Sequence, residues 1–269
     1  MTSLIQRNHF CLRSACLLGL LLWPGLVLAG NRFAFGVAVA RSEQLIVVQA
    51  QNWSDDHGTL ALFGRTSGGG WQRMGEEVPV MLGRNGLAWG IGIYAERAIK
   101  REGDLRSPAG VFELAKIYGR EEFSPNHRFP YEQRDDAMEG IDDPRSRFYN
   151  RLVNPREVAT RDWTHSEKVD ADDPMFRWCV EVKHNWGQRP GYGSCIYLHI
   201  WKRPGLPTSG CTAMNSETME RIVHWLDVAK HPLLVQMTRA AFERLDVEWP
   251  HIMPQLREAR RHSEGEKAR

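Results

Sequence analysis

Ser194 to Met214, SCIYLHIWKRPGLPTSGCTAM, reads as a strand, a turn-rich loop and a cysteine. Ser194 to Trp201 alternates with period two, so Ile196, Leu198 and Ile200 share one face of a predicted strand. Cys195, Tyr197, His199 and Trp201 share the other. Two prolines and a glycine mark the loop, which ends in Thr208-Ser209-Gly210-Cys211. A cysteine returning from a loop toward a histidine on the preceding strand has the parts of a thiol nucleophile and its base. A free thiol, with a pKa near 8.5, is mostly protonated at neutral pH, and an imidazole can take its proton. Gly210 has no Cβ, so the backbone N–H groups of Gly210 and Cys211 can approach a developing oxyanion. Cys195 is the rival thiol. Four strand residues from His199 place it ~13 Å away, too far for a hydrogen bond.

These residues resemble the active-site segment of the L,D-transpeptidase catalytic domain, the YkuD-type family. Its pattern is a His, a loop, then Ser/Thr-His-Gly-Cys and a short polar continuation. His199, Thr208, Gly210 and Cys211 match it. Ser209 stands where the family usually has a second His, and Ala213 where it usually has Arg or Asn. A second stretch, Glu102 to Leu114 (EGDLRSPAGVFEL), resembles the family's Gly-Asp-x-x-(Ser/Thr)-Pro-x-Gly-x-(Phe/Tyr) segment. The resemblance runs from about Leu45 to Met237. It implies a mainly β fold, sandwich- or barrel-like, with a helix after the catalytic cysteine and a C-terminal helix. It implies His199 and Cys211 as the catalytic pair, and a second-motif loop that borders the cleft. Trp201, Thr208, Ser209 and Arg106 are the candidate substrate contacts. The implied substrates are peptidoglycan stem peptides, cleaved after their diamino acid with release of D-alanine. No cofactor is implied.

Residues 1–29 carry Arg7 and Arg13, no acid, an apolar run from Ala15 to Leu22, and Val27-Leu28-Ala29 before Gly30. This is the pattern of a cleavable secretory signal, which predicts an exported, periplasmic protein. The apolar run is shorter than the ~20 residues a membrane span requires. Removing the segment takes two Arg from a total of 35 basic residues and leaves 33 against 33 acidic ones. A nucleic-acid partner usually requires a basic excess or stripe, and neither is visible. Cys179, Cys195 and Cys211 remain, an odd number for an oxidising compartment. The reading leaves Cys211 free and makes Cys179 and Cys195 buried thiols on strands.

From Leu45 to Gly92, strand-like runs alternate with turn signals about every ten residues, which predicts a β-rich domain without βαβ units. Trp53, Trp71 and Trp89 read as packing residues, and Lys100, Arg101, Asp104 and Arg106 as a solvated loop entering a strand at Val111 to Leu114. Residues 119–173 are rich in charge, Pro and Asp and read as a long surface insertion, with a substrate-covering role as a secondary hypothesis. Its Asp pairs lack the EF-hand spacing, and His127 and His165 lack a metal-binding context, so no metal site is expected. Arg145, Arg147, Tyr149 and Arg151 read first as solvated charge, with contact to an acidic ligand as the alternative. Phe176 to Lys183 alternates, with Phe176, Trp178, Val180 and Val182 toward the core, and His184 follows in a loop. Asn215 or Ser216 can cap a helix with Met219, Ile222, Val223 and Leu226 at core spacing. Pro232 to Met237 reads as a closing strand. The organisation is a signal (1–29), one catalytic domain (30–240) and a charged extension (241–269).

The expected activity is an exported cysteine acyltransferase. Two other classes stay open: a thiol hydrolase or carboxypeptidase on another cell-wall peptide, and a non-catalytic wall-binding protein with a structural Cys211. The sequence leaves the oligomeric state open.

Overall fold

The computed structural model describes residues 34–122, 127–134, 137–169 and 173–248. The signal reading of residues 1–29 and most of the charged extension lie outside them. No helix among the described residues is long and apolar enough to cross a membrane.

The strands in chain order are β1 (Gln44–Ala50), β2 (His57–Arg65), β3 (Trp71–Arg73), β4 (Val78–Met81), β5 (Leu87–Trp89) and β6 (Ser107–Gly119). They continue as β7 (Tyr131–Gln133), β8 (Glu139–Gly140), β9 (Leu152–Val153), β10 (Glu167–Lys168) and β11 (Trp178–Val182). The last three are β12 (Tyr197–Ile200), β13 (Thr212–Met214) and β14 (Leu233–Thr238). Helix α1 spans 34–41, α2 is Ser216–Trp225 and α3 is Arg239–Glu248.

The main sheet runs β1-β14-β6-β11-β12-β13-β4-β2, and β2 pairs back onto β1. The path closes on itself, so the mainly β, barrel-like expectation holds, and closure removes the exposed edges of an open sheet. Strand β1 is buried at every position from Gln44 to Ala50. Its continuous Leu-Ile-Val-Val run suits a strand bonded to β14 on one side and β2 on the other, with α3 packed against it.

Alternation sorts side chains as the sequence predicts. Ile196, Leu198 and Ile200 join the main core with Trp178, Val180 and Val182. Cys195 and Tyr197 join a smaller cluster with Tyr118, Phe176 and Cys179, against which Cys211 packs. Helix α2 buries Met219, Ile222 and Val223 and starts at Asn215, whose Oδ1 accepts the Thr218 N–H at 2.7 Å. Cys179, Cys195 and Cys211 are all free thiols.

Several local expectations are corrected. Strand β12 begins only at Tyr197: Cys195 has φ 53°, in the left-handed region, so it lies in the approach to the strand. Phe176 belongs to a 3₁₀ turn, Pro174–Phe176, capped by the Asp173 side chain, and β11 starts at Trp178. The second-motif strand begins at Ser107, four residues earlier than its apolar run suggests. Strand β13 intervenes between Cys211 and α2. The core does not end at residue 240, because Ala241, Phe242 and Leu245 of α3 are buried in it.

The insertion is more structured than its composition implies. Strand β7 extends the main sheet beside β6, and β8, β9 and β10 form a small sheet of their own. Ile141, Tyr149 and Trp163 are buried. Asn150 links the insertion to the body: its Nδ2 donates to the carbonyls of His184 and Asn185, and its Oδ1 accepts the Cys195 N–H at 2.8 Å. His184 is likewise no ordinary loop residue. It is buried, its Nδ1 accepts the Ile91 N–H at 3.2 Å, and its Nε2 lies 2.9 Å from Tyr192 O.

Candidate active site

Parallel pairing of β12 with β13 brings the two motif residues together. Leu198 is opposite Thr212 and His199 opposite Ala213, so one step back sets Cys211 beside Tyr197. The Tyr197 N–H reaches Cys211 Sγ at 3.4 Å, and Sγ in turn faces Cys195 O at 3.5 Å. His199 is two residues beyond Tyr197 on the same face, about 7 Å along the strand. Both side chains line one cleft of about 450 Å³. The rival thiol, Cys195, is buried, and its pKa is raised well above the ordinary value, first by burial.

The nucleophile loop is fixed by three segments. Cys211 O accepts the Thr208 hydroxyl at 2.7 Å and the Ser107 hydroxyl at 3.0 Å. Ser107 Oγ also accepts the Gly83 N–H at 2.8 Å, and Thr208 N–H donates to Leu82 O. The second motif thus holds the carbonyl of the cysteine in the first. Gly210 sits at φ +155°, where an added Cβ would meet Arg106 O at 3.2 Å and Ile196 Cδ1 at 3.4 Å. A side chain there would be strained on both counts. Below the loop, Lys100 is buried rather than solvated, and its Nζ pairs with Asp104 at 2.7 Å.

His199 is oriented by a backbone group. Nδ1 lies 2.8 Å from Ile200 O. A carbonyl only accepts, so Nδ1 carries the proton and Nε2 keeps its lone pair. The Phe176 ring is 5.7 Å from the imidazole. Burial lowers the His199 pKa, against opposing effects of the Ile200 carbonyl and Asp173. Burial also pushes the Cys211 thiol up to about 12, and the Glu167 charge adds to this. Both shifts, burial first, favour the uncharged forms of the thiol and the imidazole.

Trp201, Thr208, Ser209 and Gly210 line the cleft with the pair. Arg106 does not: its Nη1 turns toward Leu87 O at 3.4 Å, because the extended chain at Ser107 points it toward β5. The Gly210 amide, expected to meet an oxyanion, donates to Thr208 Oγ1 at 3.1 Å and is already used inside the loop. The insertion's basic residues are also engaged. Arg145 pairs with Asp143, Arg147 with Asp162, and Arg151 donates to Asn150 O and Trp186 O. Tyr149 donates to Glu102 at 2.5 Å.

Sequence reasoning missed Ser107 as the second anchor of Cys211, although the Ser-Pro of its motif was a signal. It also missed Phe176 and the acidic residues Glu102, Asp142 and Glu167 of the cleft wall. Nothing in the spacing of the insertion marks Asp142 and Glu167. Among the described residues, no group of three His, Cys, Asp or Glu side chains is placed to hold a metal ion.

No curated protein and no solved structure matches the chain. In a comparison with protein families, residues 64–236 match the L,D-transpeptidase catalytic domain, YkuD. The match covers most of the barrel together with both motif loops, and the chain belongs to the L,D-transpeptidase catalytic domain family.

Proposed function

We propose that the protein is an exported, cysteine-dependent L,D-transpeptidase of the periplasm, acting on peptidoglycan stem peptides. The observation that carries this reading is the cleft shared by Cys211 and a His199 whose Nδ1 proton is held by Ile200 O. That bond leaves Nε2 as the only imidazole nitrogen able to accept a proton. Cys211 Sγ attacks the amide carbonyl after the diamino acid of the donor stem. Because burial favours the uncharged thiol and imidazole, the proton passes to Nε2 as the S–C bond forms. The tetrahedral oxyanion meets backbone N–H groups of the nucleophile loop, with the Cys211 amide as the donor in place of Gly210. Collapse expels D-alanine, whose amine takes the proton from Nε2, and leaves a thioester. The amine of a second stem resolves the thioester as a cross-link. Water as acceptor makes the same enzyme a carboxypeptidase.

The departures at Ser209 and Ala213 support a second reading, a thiol hydrolase of another cell-wall peptide. Ala213 is buried at the cleft and offers no charge to a substrate carboxylate. Intact-mass spectrometry separates the readings. The folded protein and its Cys211→Ala variant are incubated with a carbapenem, and separately with a tetrapeptide-bearing muropeptide. An adduct on Cys211, with a cross-linked or D-alanine-shortened muropeptide, is the expected result. No adduct and no muropeptide change, with a thiol that still alkylates, removes the transpeptidase reading.

A further inference from the structure

Cys195 carries backbone strain beside the nucleophile. Its φ of 53° is in the left-handed region, which L residues other than Asn and Asp rarely adopt. Such strain persists where the surroundings over-determine it, and the bonds around Cys195 do so. Three consecutive residues are each gripped by a side chain of a different segment. Gly193 O accepts from Asn185 Nδ2 at 3.0 Å, Ser194 Oγ donates to Glu102 at 2.8 Å, and the Cys195 N–H donates to Asn150 Oδ1 at 2.8 Å. The sheet takes over at Ile196, whose carbonyl accepts the Val182 N–H at 3.0 Å. Asn150 is thus the side chain that bonds the strained residue itself.

The strained segment grips the nucleophile from two sides. Cys195 O faces Cys211 Sγ at 3.5 Å and accepts the thiol hydrogen, while the Tyr197 N–H donates to the sulfur at 3.4 Å. Asn150 is buried in turn, and its Nδ2 donates to His184 O and Asn185 O at 2.9 Å each. Carbonyls only accept, so this pairing settles which end of the amide meets the Cys195 N–H. Asn150 does not line the cleft. Although the sequence places it in the insertion, its bonds are of the neutral, buried kind.

We propose that Asn150 is a positioning residue for the nucleophile: by holding Cys195 in the left-handed conformation, it turns the Cys195 carbonyl onto the Cys211 thiol and fixes the sulfur for attack. The proposal rests on the transpeptidase reading and deepens it. Without Asn150 the Cys195 N–H is left buried and unpaired, and the residue relaxes toward the φ values ordinary for cysteine. Its carbonyl turns with the peptide plane and releases the thiol. A sulfur free to swing among its rotamers reaches the reactive geometry less often, and a misplacement of about 1 Å costs on the order of 10²-fold in rate. Because Asn150 lies outside the cleft, its loss falls on the rate of acylation and not on substrate affinity.

The test separates the two ends of the Asn150 amide. Asn150 has φ 61°, so Asn150→Gly removes both ends without opposing the backbone. Asn150→Asp keeps an acceptor for the Cys195 N–H and loses the two donors. Acylation of Cys211 by the tetrapeptide-bearing muropeptide is followed by intact mass in single turnovers over a range of muropeptide concentrations. Iodoacetamide alkylation of Cys211 is followed alongside, with thermal melts. Both variants are expected to melt below the wild type. Only Asn150→Gly is expected to acylate about tenfold or more slower at saturation, with an unchanged half-saturating concentration. It is also expected to alkylate Cys211 about fivefold or more faster, as the thiol is released. Asn150→Asp is expected to stay close to the wild type in both rates. A Gly variant with wild-type rates overturns the proposal. So does an Asp variant as impaired as the Gly variant, which would make Asn150 a structural tie alone. Should Asn150→Gly not fold, Cys195→Ser and Cys195→Thr decide. They differ by the methyl group that makes Thr β-branched and hostile to a left-handed backbone. Cys195→Thr is expected to acylate about tenfold or more slower than Cys195→Ser, and equal rates overturn the proposal. If the wild type is not acylated while its thiol alkylates, the transpeptidase reading fails instead, and the alkylation rates alone decide the role of Asn150.

Discussion

The loop that carries Cys211 and the insertion that walls its cleft are both turn-rich, yet different forces hold them. The loop is held by short bonds between backbone groups and buried or half-buried hydroxyls: Ser107 and Thr208 on Cys211 O, and Leu82 O on the Thr208 amide. The insertion is held by charged side chains. Asp143 gathers Arg145 and the Thr164 amide and hydroxyl, and Glu139 gathers Arg161, Trp163 and Ser166. Neutral bonds inside a core fix atoms closely and ignore salt, whereas the insertion's ion pairs join a buried carboxylate to an exposed guanidinium, the half that salt can screen. The difference suits the two tasks, since a nucleophile must not move and a wall that admits substrate can yield.

The largest effect belongs to the chemical pair. Replacing Cys211 by Ala abolishes acylation outright, and His199→Gln lowers its rate by about 10²–10⁴-fold. Both variants are expected to keep the wild-type far-UV circular dichroism. Next comes the anchor. Ser107→Ala strands the buried Gly83 N–H and strips one of two donors from Cys211 O. A loss of about 2 kcal/mol in stability is expected, with at least a tenfold slower acylation. Denaturant unfolding and single-turnover mass spectrometry measure the two. A Ser107→Ala enzyme with unchanged acylation would remove the claim that the second motif positions the first. The insertion should respond differently: Glu139→Gln weakens the grip on Arg161 and raises KM a fewfold while leaving kcat near its starting value. Added salt should mimic that change in the wild type and do nothing comparable to the loop.

How much was legible follows the same division. The barrel and the pair were readable because they rest on period-two alternation and on local motifs. Ile196, Leu198 and Ile200 announce a buried face, and Gly210-Cys211 announces a tight polar turn. The contacts across the chain were not readable. Nothing local marks Ser107 as the partner of a carbonyl 104 residues away. The insertion failed for another reason: its strands β8, β9 and β10 have two residues each, too few to show a period. Its carboxylates and arginines pair with one another, so basic residues that look ready for an acidic ligand are already used. Cys195 shows the limit of alternation itself. It falls on the correct face by parity, but a left-handed backbone at that position takes it out of the strand.

The smallest expected effect concerns pH and a group outside both regions. His184 is buried beneath the insertion, and burial lowers its pKa to about 4, with the Tyr192 carbonyl opposing. In the unfolded chain an imidazole binds a proton below about pH 6.5. The folded protein resists that proton until about pH 4. The unfolded state therefore binds more protons between these values, and stability falls as pH drops through the window. The full loss is roughly 3 kcal/mol for a single uncoupled group. His199 is shifted the same way, first by burial, so it adds to the slope. Thermal melts from pH 7.5 to 4.5 should show Tm falling with acid, and less steeply in His184→Asn. The acid limb of Cys211 acylation should sit below pH 6.5, because the buried His199 stays neutral and able to accept a proton there. A limb at or above pH 6.5 would mean that bound substrate raises the imidazole once the cleft is filled.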